Sequence, residues 1–134
     1  MIKSKNVNIL LNQLSTLADK KLPIALNMAI AENILILKSK SELIQDNIRK
    51  LCERYCERDK NGKIVTERTK DGERYKLIKD KIPEFNQEYS DLIELEMDIN
   101  FKKVSPELIE KADNDRYDPL TPGDLICLDV MIEK

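Results

Sequence analysis

Residues 30–55 read IAENILILKSKSELIQDNIRKLCERY, and within them Ile30, Ile34, Leu37, Ser41, Ile44, Ile48, Leu51 and Tyr55 follow one another at steps of four and three. That spacing keeps the eight side chains on one seam of a single long helix, the a/d pattern by which a helix buries a narrow ribbon against a neighbour. A second stripe, Ile82, Phe85, Tyr89, Leu92 and Glu96, repeats the same steps after a Gly-bearing, β-prone insert. The chain therefore folds back, and the two stripes bury each other. The fold class predicted is α+β and mainly helical. An antiparallel helical hairpin at about 24–95 is tipped by a β-hairpin insert at about 59–78, with one later strand and short C-terminal helices at about 96–134, all in a single domain.

Working outward, Val7, Leu10, Leu11, Leu14 and Leu17 predict a first amphipathic helix over about 6–19, with Lys20-Lys21 suited to its negative end. Pro23 biases Leu22 away from helix, so the long helix starts at or just after it and runs to about Glu57. The stretch Asp59-Lys60-Asn61-Gly62-Lys63 is the strongest local stop, since Asn and Gly both accept the left-handed conformation. Ile64–Glu67 and Glu73–Ile78 then flank Arg68-Thr69-Lys70-Asp71-Gly72 as a hairpin that must lean on something else to be stable. The second stripe helix falls at about 82–95 with Pro83 in its first turn. Beyond it Leu95, Met97, Ile99 and Phe101 alternate with polar residues, which predicts a half-buried strand. Ser105-Pro106-Glu107 and Thr121-Pro122-Gly123-Asp124 each join an N-cap oxygen, Pro at the first helical position and an early acid, and predict helices at about 106–112 and 122–133.

Composition narrows the chemistry. The chain is 134 residues long, 36% charged and 4% aromatic, with no Trp and no His, so general acid–base work would need a strongly shifted carboxylate, Lys or Cys. No catalytic constellation and no phosphate-cradling Gly-rich loop occurs, and the predicted class is a non-enzymatic binding protein without a cofactor. The net charge of −2 conceals an asymmetry: residues 1–48 carry +2, residues 49–81 carry +5 and residues 82–134 carry −9. Regions of opposite sign steer partners or let two copies meet. The N-terminal stretch lacks the unbroken apolar core of a signal peptide, and the longest apolar run, Ile34–Leu37, is far short of a membrane span. The expectation is a soluble cytoplasmic protein.

Three candidate metal sites compete with plainer readings. Cys52 and Cys56 share a helix face and Cys127 supplies a third thiol, but zinc sites usually want a fourth ligand, and buried cysteines commonly serve as small apolar residues. Asp113, Asp115, Asp118 and Asp124 look like a calcium loop, yet the sixth and twelfth positions are Asp118 and Asp124 where Gly and Glu are required. Glu94, Glu96 and Asp98 form an acidic trio that would suit magnesium and phosphodiester cleavage only if the change of element between them leaves them convergent. No metal is expected at any of them.

The basic insert is the best candidate site. Arg54, Arg58, Lys60, Arg68, Arg74 and Lys76 offer cations for phosphate, and Tyr55 and Tyr75 offer faces for a base. Seven acids interrupt this region, which disfavours duplex nucleic acid and suits a small phosphorylated ligand held by two or three groups.

Taken in order, Lys21-Leu22-Pro23 before the long helix, the Asp59–Lys63 insert, the acidic second helix, and Leu120-Thr121-Pro122-Gly123-Asp124-Leu125 through Met131-Ile132-Glu133 resemble a small family of unknown function encoded by phages and prophages of Gram-positive bacteria. The resemblance spans nearly the whole chain and brings no catalytic residue with it. It implies an accessory protein acting in the host cytoplasm, of a kind that binds host or viral factors and often counters host defence. Combined with the basic insert, the expectation is a homo-oligomer that sequesters a nucleotide immune signal. The alternatives are an inhibitor that binds a host defence complex through the acidic C-terminal third or an exposed seam, and a virion-assembly factor.

Overall fold

The computed structural model describes residues 1–134 and is mainly helical, with two small antiparallel sheets. Its elements are β1 (Ile2–Lys3), α1 (Ser4–Ala18), α2 (Ile24–Tyr55), β2 (Thr66–Thr69), β3 (Gly72–Tyr75), α3 (Ile82–Glu94), β4 (Glu96–Met97), α4 (Pro106–Lys111) and α5 (Pro122–Leu128), with 3-10 turns at Lys79–Lys81 and Asp129–Met131. The residues group into two compact units, Met1–Ser41 with Glu96–Lys134, and Glu42–Leu95.

In the first unit, the five residues between α1 and α2 force a reversal, and the helices pack as a hairpin. The Ser41 hydroxyl donates to Asn8 Oδ1 far from the connector, which fixes the antiparallel sense. Val7, Leu14 and Leu17 of α1 and Leu26, Ile30 and Leu37 of α2 are almost wholly buried, as are Leu128 and Met131 from the far end of the chain. Each such aliphatic side chain contributes about 1.5–3 kcal/mol of transfer free energy, which makes this unit the molecule's main core. α5 opens on a capping box: Asp124 N donates to Thr121 Oγ1 at 3.1 Å, and Thr121 N donates back to Asp124 Oδ2 at 2.9 Å.

The alternation at 95–101 is only partly a strand. β4 pairs antiparallel with β1, Ile2 opposite Met97 and Lys3 opposite Glu96, and the ladder stops there. Ile99 and Phe101 are half-buried outside any ladder. The backbone of Lys102 is satisfied by a side chain instead: Lys102 N donates to Asn33 Oδ1 at 2.7 Å, and Asn33 Nδ2 donates to Lys102 O at 3.0 Å. Asn33 is fully buried and takes the place of a neighbouring strand. Two residues on, Val104 N donates to Met131 O and Glu133 N to Val104 O, each at 2.8 Å, so the C-terminus closes this edge in parallel.

In the second unit α2 continues its seam. Ile44 and Leu51 are buried, and Ile48 and Tyr55 are half-buried, so the heptad spacing seen at Ile30 and Leu37 persists. α3 lies on this part of α2. Phe85 meets Tyr55 edge-on at 6.3 Å and stacks on Tyr89 at 6.0 Å, and Glu88 pairs with Arg54 at 3.2 Å. No α3 residue is buried outright, and Glu96, expected as the end of this stripe, belongs to β4.

The hairpin strands lie nearer their turn than the apolar runs suggest, β2 starting two residues later and β3 one residue earlier, with Thr66, Glu67, Arg68 and Thr69 opposite Tyr75, Arg74, Glu73 and Gly72. It is fastened to the end of α2 by a closed ring of three backbone hydrogen bonds: Glu57 N to Lys76 O at 2.7 Å, Lys76 N to Val65 O at 3.0 Å, and Val65 N to Glu57 O at 2.9 Å. This ring gives a marginal two-stranded element the third partner it needs. Gly62, at φ +78°, makes the preceding turn, where Asp59 Oδ1 accepts from Asn61 N and Lys63 N. No helix is long and apolar enough to cross a membrane.

Candidate functional site

The hairpin end carries the basic residues singled out from the sequence, and the structure sorts them into two groups. Four of the cations have a protein partner. Arg54 pairs with Glu88, Arg74 with Glu67 at 2.8 Å, and Lys76 with Glu57 at 3.3 Å, while the Arg58 guanidinium donates to Gly62 O and Glu53 O. Lys60 and Arg68 have no such partner and stand exposed, Lys60 on a turn and Arg68 on β2, and Lys63 and Lys70 are exposed as well. Tyr55 is half-buried against Phe85, and its hydrogen bond with Glu88, chief among the causes, raises its phenol above the ordinary value. Tyr75 is half-buried and lines a shallow recess of about 380 Å³ with Arg74, Lys76, Leu77, Ile82 and Glu67. The recess brings Arg74, Lys76 and Tyr75 together, but with carboxylates already on both cations. Arg54, Arg58, Lys60 and Arg68 do not line it.

A cleft lies in the first unit, among residues not assigned a binding role from sequence. Ile109 and Glu110 of α4, the connector 112–120 and Leu125 of α5 enclose a cleft of about 680 Å³. Ile109, Leu120, Tyr117 and Leu125 supply apolar wall, and the exposed carboxylates of Glu110, Asp113 and Asp115 stand around it. The connector is held by turn chemistry and by the α1–α2 loop. Asn114 Oδ1 accepts from Arg116 N at 3.0 Å, and Asp118 exchanges hydrogen bonds with the Lys21 backbone, Lys21 N to Asp118 Oδ2 at 2.6 Å and Asp118 N to Lys21 O at 2.8 Å. Lys20 Nζ donates to Pro119 O at 2.8 Å and to Asp124 Oδ2 at 2.9 Å. The Lys20 side chain, expected to serve the end of α1, therefore props one wall of the cleft. Hydrogen bonds from the Thr121 backbone and from Lys20 hold the Asp124 carboxyl below its usual range. Of the four aspartates that resemble a calcium loop, Asp118 and Asp124 are thus committed to structure, and Asp113 and Asp115 face the cleft.

The other candidates separate. Glu94 closes α3, Glu96 sits opposite Lys3 in the β1–β4 ladder, and Asp98 follows in irregular chain. Cys52 and Cys56 lie at the end of α2 and Cys127 in α5, all as free thiols. Nowhere do three or more Cys, Asp or Glu side chains gather in a metal-holding group. Burial, ahead of the nearby Asp124 charge, pushes the Cys127 thiol up to about 11, and burial also raises Cys52.

No protein-family model matches the chain, and no curated protein or solved structure shows significant similarity to it.

Proposed function

We propose that this is a non-enzymatic binding protein that captures a protein partner, and that the cleft between α4 and α5 receives a basic side chain or short basic segment of that partner. The observation that carries this reading is the pairing, in one cavity of about 680 Å³, of an aliphatic and aromatic wall with three exposed carboxylates. Lys and Arg fit such a site end to end, with the methylene stem against Ile109, Leu120 and Leu125 and the cationic head among the acids. The surplus of acids over residues 82–134 adds long-range attraction for a basic partner. Peptide display should therefore select segments in which Lys or Arg is flanked by apolar residues. Asp113→Asn with Asp115→Asn should abolish the selection, and added salt should weaken it. Selected peptides that bind the double variant and Leu125→Glu as well as they bind the parent would remove the reading.

A specific observation keeps sequestration of a phosphorylated ligand as a second reading: Lys60, Lys63, Arg68 and Lys70 are exposed cations without an acidic partner, spread over the two turns and β2. A nucleotide there meets exposed side chains rather than an enclosing pocket, and one using Arg74 or Lys76 has to displace Glu67 or Glu57. Calorimetry with cyclic and ADP-ribose-type nucleotides tests it, and absence of heat across the panel eliminates it. The setting we propose for either activity, host cytoplasm and phage counter-defence, rests on the sequence resemblance alone.

A further inference from the structure

α2 is apolar on two opposite sides along its first turns. Leu26, Ile30, Asn33 and Leu37 point into the core. At 3.6 residues per turn, Ile24, Met28, Ala31 and Leu35 fall within about 50° of the direction opposite them. These four are exposed, Ile24 to 79%, Met28 to 60% and Leu35 to 66%. The outer stripe then ends abruptly, because the next positions on that face are Ser39, Glu42, Asp46 and Arg49. From Pro23 to Leu37 the only charged residue is Glu32, in a chain whose residues are 36% charged. An ordinary surface helix has one apolar stripe, so a second one, with Glu32 alone at its margin and restricted to three turns, has the character of an interface core.

We infer that this outer face of α2 is where a second copy of the chain docks, helix against helix, across a two-fold axis. Charge selects that occupant. A two-fold contact sets one patch against its own copy, residue i against j and j against i, which a nearly uncharged ribbon tolerates, whereas a patch of one sign, such as the basic hairpin end or the acidic C-terminal third, would repel its own copy. Ala25 and Ala31 let the two backbones approach closely. The area agrees: the stripe exposes on the order of 400 Å² of apolar surface, near the largest patch a monomer ordinarily leaves bare. Two stripes with their flanks of Ala25, Asn27 and Glu32 approach the roughly 1,200 Å² at the low end of stable interfaces, which fits a dimer of micromolar affinity.

Sedimentation of the full chain over concentrations bracketing about 10 μM is the test, with a mass rising from one copy to two as the expected result. Met28→Glu with Leu35→Glu should hold the chain at one copy without changing its helical circular dichroism, since both side chains already face solvent. Mixing that variant with one bearing Met28→Lys and Leu35→Lys should restore a two-copy species, which requires the two faces to touch. A single copy at every concentration, a dimer indifferent to the paired Glu substitutions, or a face found covered by any other molecule would each overturn the inference.

Discussion

Asn33 sits among aliphatic neighbours with no solvent exposure, and both ends of its amide are used on the Lys102 backbone. Replacement by Leu keeps the volume but strands the part-buried N–H and C=O of Lys102, so Asn33→Leu should cost about 1–3 kcal/mol, measured as a lower urea midpoint with unchanged slope. The residue was legible in principle: it occupies the core-facing step between Ile30 and Leu37, where a polar side chain needs a partner. What the sequence does not carry is the partner, which lies 69 residues away and offers only backbone. Cys127 yields a prediction with a definite sign. Its proton is held in the folded chain to about 11 against an ordinary 9.0, and Cys52 is shifted the same way. Below pH 9 both states keep the proton and nothing changes. As pH rises from about 9 towards 11 the unfolded chain releases it first, so stability falls across that window, and Cys127→Ala should flatten the fall. Alkylation of Cys127 in the native protein at pH 8 should be slow for the same reason.

Among the elements, the helices were legible because a sustained 3.6-residue period leaves little choice, and α1, α2 and α3 start or end within two residues of their predicted limits. The seven-residue strand at 95–101 was misread because alternation reports burial on one side only, and a side-chain amide and a turn can produce the same half-burial as a ladder. The hairpin shows how far the candidate site was readable. Its cations were found, but their ion pairs follow from register, which sets Glu67 opposite Arg74 and which the turn fixes only once the strands have formed. Three predictions belong at this scale. Thr121→Ala removes the half of the capping box in which Asp124 N donates to Thr121 Oγ1 and should cost about 1 kcal/mol, seen in thermal or urea unfolding. Because Asp124 is held charged below its usual 3.8, its share of stability is present above that pH and lost on acidification through it, and Lys20→Met should shrink this acid-sensitive component. Gly62→Ala puts a Cβ at φ +78° and should destabilise the hairpin by about 1 kcal/mol, read from amide exchange of residues 57, 65 and 76.

For the whole molecule, burial is uneven. The largest fully buried side chains, Leu14, Leu17, Leu26, Ile30, Leu37, Leu128, Met131, Val7 and Asn33, all belong to the first unit, while Ile44, Leu51 and Cys56 are the only buried residues between 42 and 95. Hydrogen exchange should therefore show α1 and the first half of α2 opening only with global unfolding, and residues 64–94 exchanging earlier through local opening. Uniform protection along the chain would contradict this division. Charge counting along the sequence does not reach the cleft, because its walls combine α4, a turn-rich connector and α5, which only the fold brings together. A further consequence follows from the order of synthesis. Leu128 and Met131 complete a core that opens at Val7, so during translation the α1–α2 pair waits, with the apolar outer side of α2 also bare, until residue 131 has left the ribosome. Removing residues 128–131 therefore takes away a wall of the hydrophobic centre rather than a tail, and leaves a chain prone to aggregate.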